Sequence, residues 1–69
     1  MDISTKIKMA CTATKTSEAE LARRIGTSPS AFNQRMKTGK FSSTDLEKIA
    51  EALGVKFVCY FEFPNGDRV

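Results

Sequence analysis

A chain of 69 residues with 41% hydrophobic side chains and five Phe can close one compact core, near the lower size at which a domain folds without a metal or disulfides. That excludes a disordered chain and leaves too little backbone to wall a deep catalytic pocket, so an enzyme is not expected. The net charge of +3 is uneven: residues 17–40 hold five basic side chains against two acidic, and residues 41–69 three basic against five acidic, a polarity suited to a polyanion held on one side.

Asp2 is placed to cap a first helix whose inward positions are Ile3, Ile7, Ala10 and Cys11, at helical spacing. The stretch "TATKT" (12–16) loses that pattern and reads as a connection. Ser17 opens "SEAE", a capping box in which Ser17 and Glu20 each satisfy a free backbone N–H. Leu21, Ala22 and Ile25 are the buried edge of the second helix, and Gly26 ends it. Ser28 followed by Pro29 marks the next start, a hydroxyl cap and then proline at the first helical position. The joint is too short for an antiparallel pair and predicts a steep crossing.

The third helix runs to about Thr38, with Phe32 and Met36 as its apolar contacts, and stops at Gly39. Phe41 is expected to fold back onto the core. Thr44 and Glu47 suggest another capping box, followed by Leu46, Ile49, Ala50 and Leu53 on one face of a fourth helix that closes at Gly54.

From Val55 the period becomes two. Val55, Phe57, Cys59, Phe61 and Phe63 face one way, while Lys56, Val58, Tyr60 and Glu62 face the other. "PNGD" is a hairpin signal, with Asn65-Gly66 supplying positive φ angles. The expectation is a strand or hairpin over 55–69, with Phe57, Phe61 and Phe63 in the core. Val58, Tyr60 and Glu62 would form an outer face for pairing with a second copy, because little chain remains for a return strand.

Cys11 and Cys59 lie far apart and the chain has no His, so neither a metal site nor another cofactor is expected, and both thiols read as small core residues in a reducing, cytoplasmic setting. No apolar run approaches a membrane span and no small-molecule effector site is evident. Glu47 and Glu51, one turn apart, read as a solvated helix face.

The second and third helices form a two-helix unit over about 17–38 whose second member is polar on its outer side. A helix fits the major groove of B-form DNA, where each base pair shows its own donor and acceptor pattern. Asn33 and Gln34 carry amides suited to adenine, Ser30 donates or accepts, and Pro29 can touch a thymine methyl. These four are the candidate base contacts. Ser17 and Ser28, at positive helix ends, together with Arg23, Arg35, Lys37 and Lys40, are the candidates for the phosphate backbone.

Residues 17–54 resemble the helix-turn-helix core of the Cro and phage-repressor type, the Xre family. The residues that carry the resemblance are "ELA" at 20–22, Ile25-Gly26, "TSPSAF" at 27–32, the Gly39 stop and "LEKIAEALGV" at 46–55. The resemblance implies a compact, mostly α, four-helix lambda-repressor-like domain spanning 1–69, here with a C-terminal strand or hairpin. It also implies a sequence-specific regulator that binds double-stranded DNA as a homodimer, with half-sites about 34 Å apart, and that represses by occupying a promoter. Three departures stand out. Glu18 occupies a position where relatives often carry a phosphate-touching Gln. Arg35 stands at a usually apolar position, leaving Met36 to take the buried place and Arg35 free for a phosphate. The strand replaces a fifth, dimerising helix. Glu18 and the small net charge also suit a protein-interaction module that kept the fold and lost DNA binding, and the strand edge would suit the DNA-binding antitoxin of a toxin pair.

Overall fold

The computed structural model describes residues 2–69 as four helices in chain order: α1 (Ile3–Ala13), α2 (Glu18–Arg24), α3 (Pro29–Thr38) and α4 (Ser43–Leu53). Every helix starts on a side-chain oxygen that accepts a backbone N–H left unpaired by the first turn. Asp2 accepts from Thr5 N at 2.8 Å, Ser17 from Glu20 N at 3.0 Å, Ser28 from Ala31 N at 3.1 Å and Ser42 from Asp45 N at 3.1 Å.

Two expectations about caps need correction. The box at the start of α4 is Ser42 with Asp45, two residues before the expected Thr44 and Glu47, and the Ser42 N–H donates back to Asp45 Oδ2 at 2.9 Å. The same spacing of hydroxyl and carboxylate occurs twice in this stretch, and the earlier pair places Leu46, Ile49 and Leu53 inward. Ser17 caps α2 as expected, but Glu20 commits its carboxylate to Arg23 and Arg24 instead of closing the box. The first helix also outlasts its apolar pattern, reaching Ala13. Thr12 and Thr14 there return their hydroxyls to the carbonyls of Lys8 and Ala10, a bond that lets threonine sit in a helix end.

The helices close on one core of Ile7, Cys11, Leu21, Ala22, Phe32, Met36, Ile49 and Leu53, rimmed by Ile3, Ala10, Ile25, Phe41, Leu46 and Ala52. Leu21 and Ala22 are wholly covered and Phe32 is 1% exposed, so each large side chain here contributes roughly 1.5–3 kcal/mol. Helix α2 packs against α3 and α4 and touches α1. The α2–α3 joint is closed by Gly26 at φ +82° and a bond from Thr27 N to Ala22 O at 2.9 Å, the six-to-one closure of a Schellman motif. At the far end of α3, Ser4 Oγ donates to the Met36 carbonyl at 2.7 Å, tying α1 to the last turn of α3.

The C-terminal strand is where structure and expectation part. Val55–Phe61 runs without a turn or bend, yet the described residues hold only one isolated antiparallel bridge, Glu62 with Arg68, and no sheet. The "PNGD" turn does form, in another geometry. Gly66 N donates to Phe63 O at 2.9 Å, so Pro64 and Asn65 are the central residues, and only Gly66 has positive φ, at +91°. This is a type I turn followed by a left-handed glycine, the three-residue hairpin loop. Proline at the first central position sets the φ that this turn needs.

The Phe row is also not core. Phe57 is half-buried, whereas Phe61 is 77% and Phe63 48% exposed, and Cys59 is exposed as well. The helices already bury their apolar stripes in one another, and a lone hairpin has no second layer to cover it. Only residues 55–58 lie along the helices, lining a shallow apolar cavity of about 220 Å³ with Ile3, Ile7, Leu46, Ile49 and Leu53. The rest projects as an arm. The radius of gyration is accordingly 13.1 Å, above the roughly 11 Å expected for a compact chain of this length.

Candidate nucleic-acid interface

Phe32 and Met36, four residues apart and both buried, fix the rotational setting of α3. At about 100° per residue, Gln34 then falls opposite them, with Ser30 and Lys37 beside it and Asn33 on the flank. All four are exposed, and among the described residues none of their side chains makes a hydrogen bond within the protein. Pro29 is exposed at the first helical position. The four predicted base-contact residues, Pro29, Ser30, Asn33 and Gln34, thus share one open surface with Lys37. Helix α2 braces this surface from behind through Leu21 and Ala22, and Arg24 Nη1 donates to Ala52 O at 3.0 Å, linking α2 to the end of α4.

The expected backbone contacts divide. Lys37 and Lys40 are exposed and carry no ion pair among the described residues. Arg23 bonds Glu20 through Nη2 at 2.8 Å and Nε at 3.2 Å, and Arg24 reaches the other oxygen at 3.4 Å. These are exposed pairs, weak in water and weakened further by salt, so a phosphate could exchange for the carboxylate. The Arg23 guanidinium holds the Glu20 carboxyl below its ordinary range.

Ser17 and Ser28 use their hydroxyls as caps. At α3 the helix end has little else to give: Pro29 has no N–H, Ala31 N donates to Ser28 Oγ and Phe32 N to Ser28 O at 3.0 Å, leaving the Ser30 N–H. At α2 the open N–H groups of Glu18 and Ala19 sit beside the exposed Glu18 carboxylate, which opposes an anion there.

Arg35 differs most from expectation. Met36 does take the buried place, but Arg35 is not free. Its Nη2 donates to Asp45 Oδ2 at 2.5 Å and its guanidinium lies 4.9 Å from the centre of the Phe41 ring. Phe41 in turn meets Phe32 at 6.1 Å, tilted by 58°. Arg35, Asp45 and Phe41 therefore clamp the last turn of α3 to the first turn of α4 across the Gly39–Ser42 loop. The Asp45 carboxyl is held low chiefly by the Ser42 N–H, with Arg35 adding to it. Sequence reading missed this clamp because it placed the α4 cap at Thr44. The Ser42–Asp45 spacing was the available signal, since a cap there brings Asp45 to the foot of α3.

The predicted pairing residues Val58, Tyr60 and Glu62 are all exposed on the arm, and Arg68 joins them: its guanidinium lies 4.7 Å from the Tyr60 ring centre and 3.8 Å from Glu62 Oε1. Among the described residues no helix is long and apolar enough to cross a membrane. Comparison of the chain with protein-family models, curated proteins and solved structures gave no match.

Proposed function

We propose that this chain binds double-stranded DNA sequence-specifically by laying α3 in the major groove, and that it regulates transcription as a homodimer on a two-fold symmetric site, repressing by occupying a promoter. The observation that carries the reading is the uncommitted polar face of α3: Ser30, Asn33, Gln34 and Lys37 lie exposed together on a helix whose other side is locked by Phe32 and Met36. A rigid helix with unpartnered amides is what base readout requires, and α2 supplies the brace. The resemblance of residues 17–54 to the Xre helix-turn-helix core supports the same reading. Lys37 and Lys40 are the backbone contacts it favours, with Arg23 available by exchange from Glu20.

The test is selection from a random duplex pool, followed by titration of the enriched site with wild type and Gln34→Ala. The reading expects a symmetric motif, a loss of about 1–3 kcal/mol for Gln34→Ala confined to one base position per half-site, and steep weakening with salt as phosphate contacts release counterions. No enrichment at low salt, or equal losses on all sequences, would overturn it.

A further inference from the structure

Resting on the two-copy reading above, we infer that the arm is an interface for a second copy of this chain, paired antiparallel along its free edge in a register whose two-fold axis passes through Cys59. The backbone says which edge is free. Phe61 exchanges both of its hydrogen bonds with Val69, and Phe63 N donates to Asp67 O, so these odd residues turn their polar groups toward the return segment. In an extended chain the neighbouring residues turn theirs the other way. Val58, Tyr60 and Glu62 therefore turn their N–H and C=O groups to the outer edge, where among the described residues none of them has a backbone hydrogen-bond partner. An unpaired edge flanked by Val58 at 64% and Phe61 at 77% exposure is a template for strand addition.

Charge selects the register. Only pairings that set even residues against even residues join the two outer edges. With Cys59 opposite Cys59, Val58 meets Tyr60, Phe57 meets Phe61, Val55 meets Phe63, and Lys56 meets Glu62 of the second copy. Glu62 already pairs with Arg68 of its own chain, so one face of the assembly reads basic, acidic, basic across three adjacent segments. Centring on Tyr60 instead sets Val58 against Glu62 and Lys56 against Pro64, which has no N–H to give. Centring on Val58 carries Glu62 past the arm to Gly54. Both shifts lose the two opposite-charge pairs, and like every register slip they are decided by what faces what. In the favoured register Cys59 is a non-hydrogen-bonded pair, with Cα atoms about 4.5 Å apart, inside the span a disulfide accepts.

The test uses the purified full chain without DNA. Sedimentation velocity in reducing buffer should show a dimer. Lys56→Glu, which creates two like-charge pairs, should weaken it about tenfold, and adding Glu62→Lys together with Arg68→Glu, which keeps the opposite-charge pair within each arm, should restore most of that loss. Brief copper-phenanthroline oxidation should link wild type through Cys59 within the dimer. In a Cys59→Ser background, Tyr60→Cys should link far more slowly, because residue 60 faces residue 58. A monomer at every concentration, charge swaps whose effects simply add, or equal linking rates at 59 and 60 would each overturn the inference. A dimer that enriches no duplex would sink the DNA reading and leave this interface standing, and a chain that reads DNA as a monomer would do the reverse.

Discussion

Replacing Phe41 by Ala tests the clamp between α3 and α4. Phe41 is half-buried, meets Phe32 at 6.1 Å and carries the Arg35 guanidinium at 4.9 Å. An aromatic pair is worth about 0.5–1.5 kcal/mol, a part-exposed cation–π contact about 0.5–1 kcal/mol, and half-burial of a ring about 1 kcal/mol more. The variant should therefore lose about 2–4 kcal/mol, a large share of the roughly 3.5–10 kcal/mol that a chain of this length has in total. Far-UV circular dichroism would register this as a melting temperature lower by about 10–25 °C, and urea titration as a lower midpoint with an unchanged slope. Phe41→Leu, which keeps apolar bulk without the ring, should recover about half. A double-mutant cycle with Arg35→Met should give a coupling of about 0.5–1 kcal/mol. A loss below about 0.5 kcal/mol for the Ala variant, smaller than the aromatic pair alone, would mean the ring only lies near its partners and that the clamp assigned here does not hold.

Acid should destabilise the domain through its caps and ion pairs. Asp2, Glu20 and Asp45 all have carboxyls lowered from ordinary values of 3.8, 4.5 and 3.8. With folded values below unfolded ones, their contribution is complete above about pH 5 and is lost as pH falls through the folded values; urea midpoints measured from pH 6 to pH 2.5 should decline accordingly, and less so for Asp45→Asn. Gly54 ends α4 at φ +70°, so Gly54→Ala, with open space for its Cβ, should still cost about 1 kcal/mol of left-handed strain in a thermal melt. Cys11 is buried and its thiol is raised by desolvation, so iodoacetamide at pH 7.5 should leave it unmodified in the native chain and alkylate it in urea, as mass spectrometry of digests would show.

The helices were legible in the sequence where independent signals agreed, and they agreed most fully on α3. Around α3, the Ser28 cap, Pro29 at the first turn and Gly39 at the stop bracket the same residues that Phe32 and Met36 mark as buried. Such consistency across levels is what specifies a fold. The open face of α3 could be read too, since burial of two residues fixes where the others point. The arm could not. Alternation over 55–63 identifies a segment able to be a strand, but pairing and burial depend on partners elsewhere, and local pattern says nothing of whether a second layer exists. The Arg35 clamp was missed for a related reason: an arginine on a polar helix looks free until the partner's own position is known, and Asp45 was hidden by a competing cap at Thr44.

The bond from Ser4 to the Met36 carbonyl has a consequence for how long the open polar surface of α3 stays ordered. Carbonyls in the last turn of a helix have no partner of their own, and a helix unwinds from such ends first. By supplying a donor from the opposite end of the chain, Ser4 holds shut the turn that carries Lys37. Hydrogen exchange near Thr38–Lys40 should then be governed by the docking of α1, and a Ser4→Ala chain should open there on a faster clock while α2 and the first turn of α3 keep theirs. The segment farthest in sequence from the arm thereby sets the persistence of the turn that carries Lys37.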